Sequence, residues 1–231
     1  MLRRRWGDRV DADFLIRGVV WYFVFLFATT AHEAAHAWAA YRGGDSTAYL
    51  GGQLSLDPIP HIKREPFGMV LVPILSFVIN NGGWMFGWAS APYNLAWALR
   101  HPTKAAWMAA AGPGANLTIA ISAGLLLRVG GEVGFFDGSR GLTEGATGAL
   151  AFILYLMMLL NLVLFFFNLI PIPPLDGSSV IGLFLPEETT RRLQLAFLQP
   201  GFAIAGMIFA YYFGGRLISP AVFWTMDLLL T

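Results

Sequence analysis

The chain has 231 residues, of which 56% are hydrophobic and 13% are charged, and its formal net charge is +1. This composition is too apolar for an ordinary soluble domain and predicts a single membrane-embedded domain over residues 1–231. The small net charge argues against a nucleic acid partner, and the lack of cysteine in the sequence excludes disulfides and thiolate metal sites.

Four apolar runs are long enough to cross a bilayer, which takes about 20 residues. They lie at 14–40, 105–128, 146–170 and 201–218, and a fifth run at 67–87 is borderline. The sequence therefore predicts an all-α polytopic bundle of about four to six membrane segments in a lipid bilayer. The arginines at positions 3–5 and 9 could instead mark a cleaved signal peptide. That alternative fits poorly, because the first run is longer than a usual signal core.

The first run contains the ionisable residues His32, Glu33 and His36 in the stretch HEAAH. Residues four apart lie on one face of a helix, so both imidazoles can point to one site. The H-E-x-x-H pattern is typical of zinc proteases, in which the histidines bind Zn²⁺ and the glutamate accepts a proton from water. The pattern could also arise by chance. However, each ionisable group near mid-bilayer costs at least about 2.5 to 3.5 kcal/mol, and a bound cation would compensate for this.

Between the first and second runs, STAYL and QLSLD flank Gly51 and Gly52, a pattern that predicts a short membrane-associated β-hairpin. The edge of this hairpin could pair with an unwound substrate segment, or the hairpin could be only a connecting loop. The borderline run 67–87 follows, with Pro73 inside it and NNGG at its end.

The run 146–170 leads directly into NLIPIPPLDG at 168–177, which contains Asp176. Its prolines cannot continue a helix, and irregular backbone at membrane depth occurs only where it is buried or lines a watery cavity. Asp176 therefore either projects into a cavity or forms an ordinary Asp-Gly surface turn. If Asp176 shares a metal with the first run, both must lie on one side of the bilayer. We therefore predict that 67–87 is a re-entrant segment or a tilted partial span that does not fully cross.

HEAAH and NLIPIPPLDG together resemble the site-2 protease family, the intramembrane zinc metalloproteases of peptidase family M50. Three further stretches, at 51–68, 87–94 and 110–116, are similar to compact prokaryotic members of that family without a PDZ or CBS domain. The sequence departs from common members at Ser90, where lysine is frequent, and at Ser178-Ser179, where Gly-Arg is frequent. Neither position is a ligand, so we expect these departures to affect substrate handling more than the chemistry.

The resemblance implies a role for six residues in the reaction. His32, His36 and Asp176 would bind one Zn²⁺, and Glu33 would be the catalytic base. Asn116 and Asn168 would bind the substrate backbone or stabilise the developing oxyanion. For Asn116, in the small-residue stretch AAGPGAN, a role in helix packing is an alternative.

Together these features predict an intramembrane zinc endopeptidase that cuts transmembrane segments of other proteins. One alternative is a metal transporter, which Glu33 disfavours because it would not be a ligand, and another is a catalytically idle family member that binds membrane proteins. Lysine and arginine are divided almost evenly between the two predicted sides, so they do not orient the chain. The resemblance implies an active site nearer the cytoplasmic face of a cell membrane, whereas the N-terminal arginines suggest the opposite orientation. A homo-oligomer or a regulatory membrane partner stays open.

Overall fold

The structure is a computed structural model that describes residues 12–136 and 145–231. The arginines considered above as a signal-peptide feature lie outside the described residues. The described chain folds into eleven α-helices and three shorter helical segments, a π-helical turn at Phe67–Leu71, a 3-10 turn at Ile181–Phe184 and a π-helical turn at Ala210–Gly214. In chain order the α-helices are α1 (Ala12–Gly43), α2 (Thr47–Leu50), α3 (Pro58–Arg64), α4 (Val72–Ile79), α5 (Leu95–Arg100), α6 (Pro102–Glu132), α7 (Gly145–Asn168), α8 (Gly177–Val180), α9 (Glu187–Phe197), α10 (Pro200–Phe209) and α11 (Gly215–Leu230).

Four helices are long and apolar enough to cross a membrane. They are α1, α6, α7 and the continuous helical stretch Pro200–Leu230 formed by α10, the second π-helical turn and α11. Each corresponds to one of the four apolar runs, so the prediction of an all-α, multi-pass chain is confirmed. The ends of α1 suit the helix dipole, because Asp13 lies in its first turn and Arg42 in its last.

The long helices bury two hydrophobic clusters between them. In the first cluster, Trp21 and Phe25 of α1 pack with Leu156 and Leu160 of α7. In the second cluster, residues of α6 and α7, including Met158, pack against the inner face of α11. Helices α6 and α7 therefore both lie between α1 and α11, and α6 is rich in alanine and glycine, which let membrane helices approach closely.

The predicted β-hairpin is wrong, because no strand occurs within 12–136 or 145–231 and its first half is the one-turn helix α2. The Asp45 carboxylate accepts hydrogen bonds from the Thr47 amide at 3.0 Å and from the Thr47 hydroxyl, which begins a helical turn. The two glycines then end it, because Gly52 has φ +75° and the Gln53 amide donates back to the Ala48 carbonyl at 2.9 Å. This is a glycine-terminated helix end rather than a hairpin turn.

The re-entrant segment predicted at 67–87 is not supported. Only Phe67–Ile79 is helical, and 13 residues rise about 20 Å, less than the roughly 30 Å of a hydrocarbon core. Asn81 and Gly82, both with positive φ, then turn the chain, and residues 84–94 have no regular secondary structure. The Trp88 amide donates to the Gly68 carbonyl at 3.0 Å, so the two ends of this stretch lie side by side. The helical part Phe67–Ile79 is too short to cross the bilayer, which is the condition for His32, His36 and Asp176 to lie on one side of it.

Candidate metal centre and active site

Three predicted ligands from distant parts of the chain converge at one point. His32 and His36 lie one turn apart on α1 and are buried, with their Nε2 atoms 2.9 Å apart. Asp176 places Oδ2 3.1 Å from His32 Nε2 and Oδ1 3.3 Å from His36 Nε2. One ligand atom from each residue lies within 4.8 Å of the others, so a single metal ion could bind all three.

The hydrogen bonds on the far side of each imidazole determine which nitrogen faces this point. His36 Nδ1 donates to the Met108 carbonyl at 2.8 Å, and His32 Nδ1 donates to Asn116 Oδ1 at 2.6 Å. Both protons are therefore on Nδ1, and both Nε2 atoms carry a lone pair. Two lone pairs and a carboxylate facing one another repel unless a cation lies between them. This donor set of two imidazole nitrogens and a carboxylate fits Zn²⁺, with the fixed far-side partners usual for metal-binding histidines.

Asp176 is positioned by a short loop that folds back on the end of α7. It directly precedes α8, and its carbonyl accepts from the Ser179 and Val180 amides at 2.8 and 2.9 Å. At Gly177 an added Cβ would collide with the Leu169 carbonyl, so only glycine fits this close approach. A carboxylate must be ionised to bind a metal, and the Asp176 carboxylate is held facing the Nε2 atoms of both histidines.

Gly112 of α6 gives the two imidazoles their space. An added Cβ there would lie 2.6 Å from His32 Nε2 and 2.5 Å from His36 Cε1, and closer still to His36 Nε2. The need for glycine at 112 was missed, because this stretch was considered for its family resemblance, for the role of Asn116 and for helix packing. The small residues of AAGPGAN are visible in the sequence, but the sequence does not show which face of α6 they occupy.

The structure does not place Asn116 where the resemblance implied. Its side chain is completely buried behind His32 and does not line the cavity in front of the ligands. In addition to accepting from His32, it donates through Nδ2 to Asn161 Oδ1 at 2.7 Å and to the Ala28 carbonyl at 3.3 Å. This position suits orientation of His32 and not contact with substrate. Asn161 was missed, although an amide side chain in so apolar a run is unusual.

A cavity of about 370 Å³ opens in front of the three ligands. Glu33 lines it beside the histidines and is buried, and its carboxylate accepts no hydrogen bond from the described residues. Asn168 also lines the cavity, and its Nδ2 donates to the Leu164 carbonyl at 3.0 Å, which leaves Oδ1 without a partner among the described residues. Residues 89–91 also line the cavity, with Ser90 among them.

Comparison with known proteins agrees with this arrangement. The sequence profile of peptidase family M50 matches residues 20–212. A Bacillus subtilis protein named "Putative zinc metalloprotease YwhC" is 33% identical over 199 residues, which cover 83% of this chain and 80% of that protein. Proteins named "Putative zinc metalloprotease Rip2" from Mycolicibacterium smegmatis and Mycobacterium tuberculosis are 28% and 30% identical, over 88% of this chain and 71% of each relative. No solved structure matches the chain. Because the profile match covers most of its length, the chain belongs to peptidase family M50.

Proposed function

We propose that this protein is an intramembrane zinc endopeptidase that hydrolyses peptide bonds in or near transmembrane segments of other membrane proteins. The observation that carries the proposal is the convergence of His32, His36 and Asp176, with both Nε2 atoms facing the Asp176 carboxylate, beside the unbonded carboxylate of Glu33. These three residues would hold Zn²⁺, which when bound lowers the pKa of water to roughly 7 and polarises a carbonyl.

The residues around the ligands would divide the remaining work between them. Glu33, which faces the cavity without a hydrogen-bond partner, would accept the proton of the attacking water and return it to the leaving amine. Asn168 would hold the substrate backbone, because its amide oxygen is free on the cavity wall. Asn116 would keep the His32 ring in place from behind.

An intact substrate helix would have to unwind at the ligands, because its amides are hydrogen-bonded within the helix and its side chains surround the backbone. Ala89 and Ala91 line the cavity in a stretch without regular secondary structure and have no backbone hydrogen-bond partner among the described residues. An extended peptide could therefore pair with residues 89–91, as strands pair at a sheet edge. This stretch would take the substrate-pairing role first assigned to the hairpin.

The catalytic proposal is tested with Glu33→Gln, which removes the base and leaves the three ligands in place. Wild type and variant are each produced in cells whose membrane proteins are then searched by mass spectrometry for new chain ends, and bound zinc is measured on the purified protein. We expect Glu33→Gln to keep zinc and to lose the new chain ends. Glu188→Gln is the matched control, because Glu188 is an exposed residue of α9 that pairs with Arg191 and Arg192 outside the cavity.

Two outcomes would contradict the catalytic proposal. One is a set of new chain ends that is the same for Glu33→Gln and for wild type, and the other is wild-type protein that binds no zinc. The transporter alternative is tested separately with purified protein in liposomes that contain a zinc-sensitive dye. The protease proposal expects no zinc flux, because Asp176 and Glu33 end in a cavity and not in a path across the membrane. The active site nearer the cytoplasmic face of a cell membrane, and any homo-oligomer or regulatory partner, stay predictions.

A further inference from the structure

A line of hydrogen bonds leads away from His32 through two buried amides to the backbone of α7. The Asn161 side chain, like that of Asn116, is completely buried in the membrane-spanning part of the chain. Its Nδ2 donates to the Met157 carbonyl at 2.8 Å, and its Oδ1 accepts from Asn116 Nδ2 at 2.7 Å. Asn116 Oδ1 in turn accepts from His32 Nδ1 at 2.6 Å.

The direction of every bond in this line follows from its last member. A backbone carbonyl can only accept, so Met157 requires the NH₂ end of Asn161 and leaves the oxygen end for Asn116. That oxygen requires the NH₂ end of Asn116, which leaves the Asn116 oxygen for His32. An oxygen at that place requires the proton on His32 Nδ1, which leaves the Nε2 lone pair directed at the ligand point.

We infer that Asn161 is a positioning residue, which acts through Asn116 to hold His32 in the tautomer and orientation that binds metal. The inference rests on the proposed zinc site, and it adds a residue that contacts neither the metal ligands nor the cavity. His36 needs no such line, because its Nδ1 donates directly to the Met108 carbonyl. The two histidines thus differ in their second hydrogen-bond partner. The partner of His36 is a backbone carbonyl held by the helix, whereas the partner of His32 is a side-chain amide that could rotate.

The Ala28 carbonyl limits how large the effect of losing Asn161 can be. It also accepts from Asn116 Nδ2, at 3.3 Å, and so it favours the same amide orientation through a longer bond. Without Asn161, only the longer bond to the Ala28 carbonyl would still favour this orientation of the Asn116 amide. Outer partners of metal-binding histidines contribute about 10- to 100-fold to metal affinity, and we expect an effect at the lower end, about tenfold.

The test uses Asn161→Leu, which has similar volume but neither donates nor accepts. Zinc affinity of the purified full chain is measured by competition with a chelator, and the His32 tautomer by ¹⁵N NMR of the metal-free protein labelled in histidine. We expect the zinc Kd to rise about tenfold and the His32 Nδ1 signal to lose its fully protonated character. Asn161→Asp is the conservative variant, because a neutral carboxyl can donate to Met157 and accept from Asn116, and it should restore both readouts.

Leu162→Ala is the matched control for packing, because Leu162 is the next residue of α7 and is also fully buried, but makes no bond in this line. It should lower thermal stability and leave the His32 tautomer unchanged. The inference is overturned if Asn161→Leu keeps the wild-type zinc Kd and tautomer, or if Leu162→Ala changes both equally. Neither the zinc Kd nor the His32 tautomer depends on peptide cleavage. Failure of this inference can therefore be told apart from failure of the protease proposal.

Discussion

Replacement of Gly112 by alanine is the most direct test of the geometry around the ligands. The added Cβ would lie 2.6 Å from His32 Nε2, whereas ordinary van der Waals contact begins at 3.4 Å. Either the ring or the α6 backbone must therefore move by about 0.8 Å, which is several times the roughly 0.2 Å by which metal-ligand distances vary in real sites. The other contacts are with His36, so both imidazoles are affected together.

We expect Gly112→Ala to lower zinc affinity by about 100-fold, the upper end of the range for loss of an outer partner of a ligand, because here the ligand rings themselves are displaced. Gly114→Ala is the matched control, because a Cβ at Gly114 meets nothing within 4 Å in the same helix. Both changes raise helix propensity by about 1 kcal/mol, so α6 itself should become more stable in each. Zinc Kd is measured for both proteins by chelator competition. Equal zinc affinity of the two variants would refute the close approach of α6 to the histidines.

Three further predictions concern topology, the second hydrogen-bond partner of His32 and the hydrogen-bonded carboxylate of Asp45. Cysteine introduced at the exposed positions Leu50 and Arg192 should be labelled from the same side of the membrane, and cysteine at Val133 from the other, in a chain that has no natural cysteine. Asn116→Leu should raise the zinc Kd by about 10- to 100-fold, because His32 Nδ1 loses its acceptor. Burial would raise the pKa of Asp45, but hydrogen bonds from Thr47 and Asn94 lower it below 3.8. Asp45 therefore contributes stability above that pH, which is lost as the pH falls through its lowered pKa, and thermal melts of Asp45→Asn should lack this acid-side loss.

The spans and the ligand set could be predicted because each depends on a strong local pattern. Hydropathy alone located the four long helices, since no other element tolerates so many apolar residues in a row. Helical periodicity placed His32 and His36 on one face, and the family resemblance supplied Asp176. The structure brings these three together as that reasoning required.

The predictions that are wrong or unsupported fall where distant residues decide the local conformation. STAYL followed by two glycines is compatible with a hairpin and equally with a helical turn that ends in glycine. Asp45 decides between them, because it accepts from Thr47 and also from the Asn94 amide, 49 residues away, at 2.7 Å. Residues 84–94, which have no regular secondary structure, carry no periodic pattern, since they take their partners from α4, from the first π-helical turn and from loops.

One face of α6 explains why the metal site needs this pair of helices. Met108, Gly112 and Asn116 are spaced four residues apart, so they lie along one stripe of α6 that faces α1. Met108 accepts from His36, Gly112 makes room for both rings, and Asn116 accepts from His32. The order is reversed between the helices because they run antiparallel, and Gly112 lies midway between the two acceptors, beside both rings. A rotation of α6 by one residue, about 100°, would remove the acceptors and the space at once. The ligand pair on α1 is therefore specified as much by the AAGPGAN stretch as by HEAAH itself.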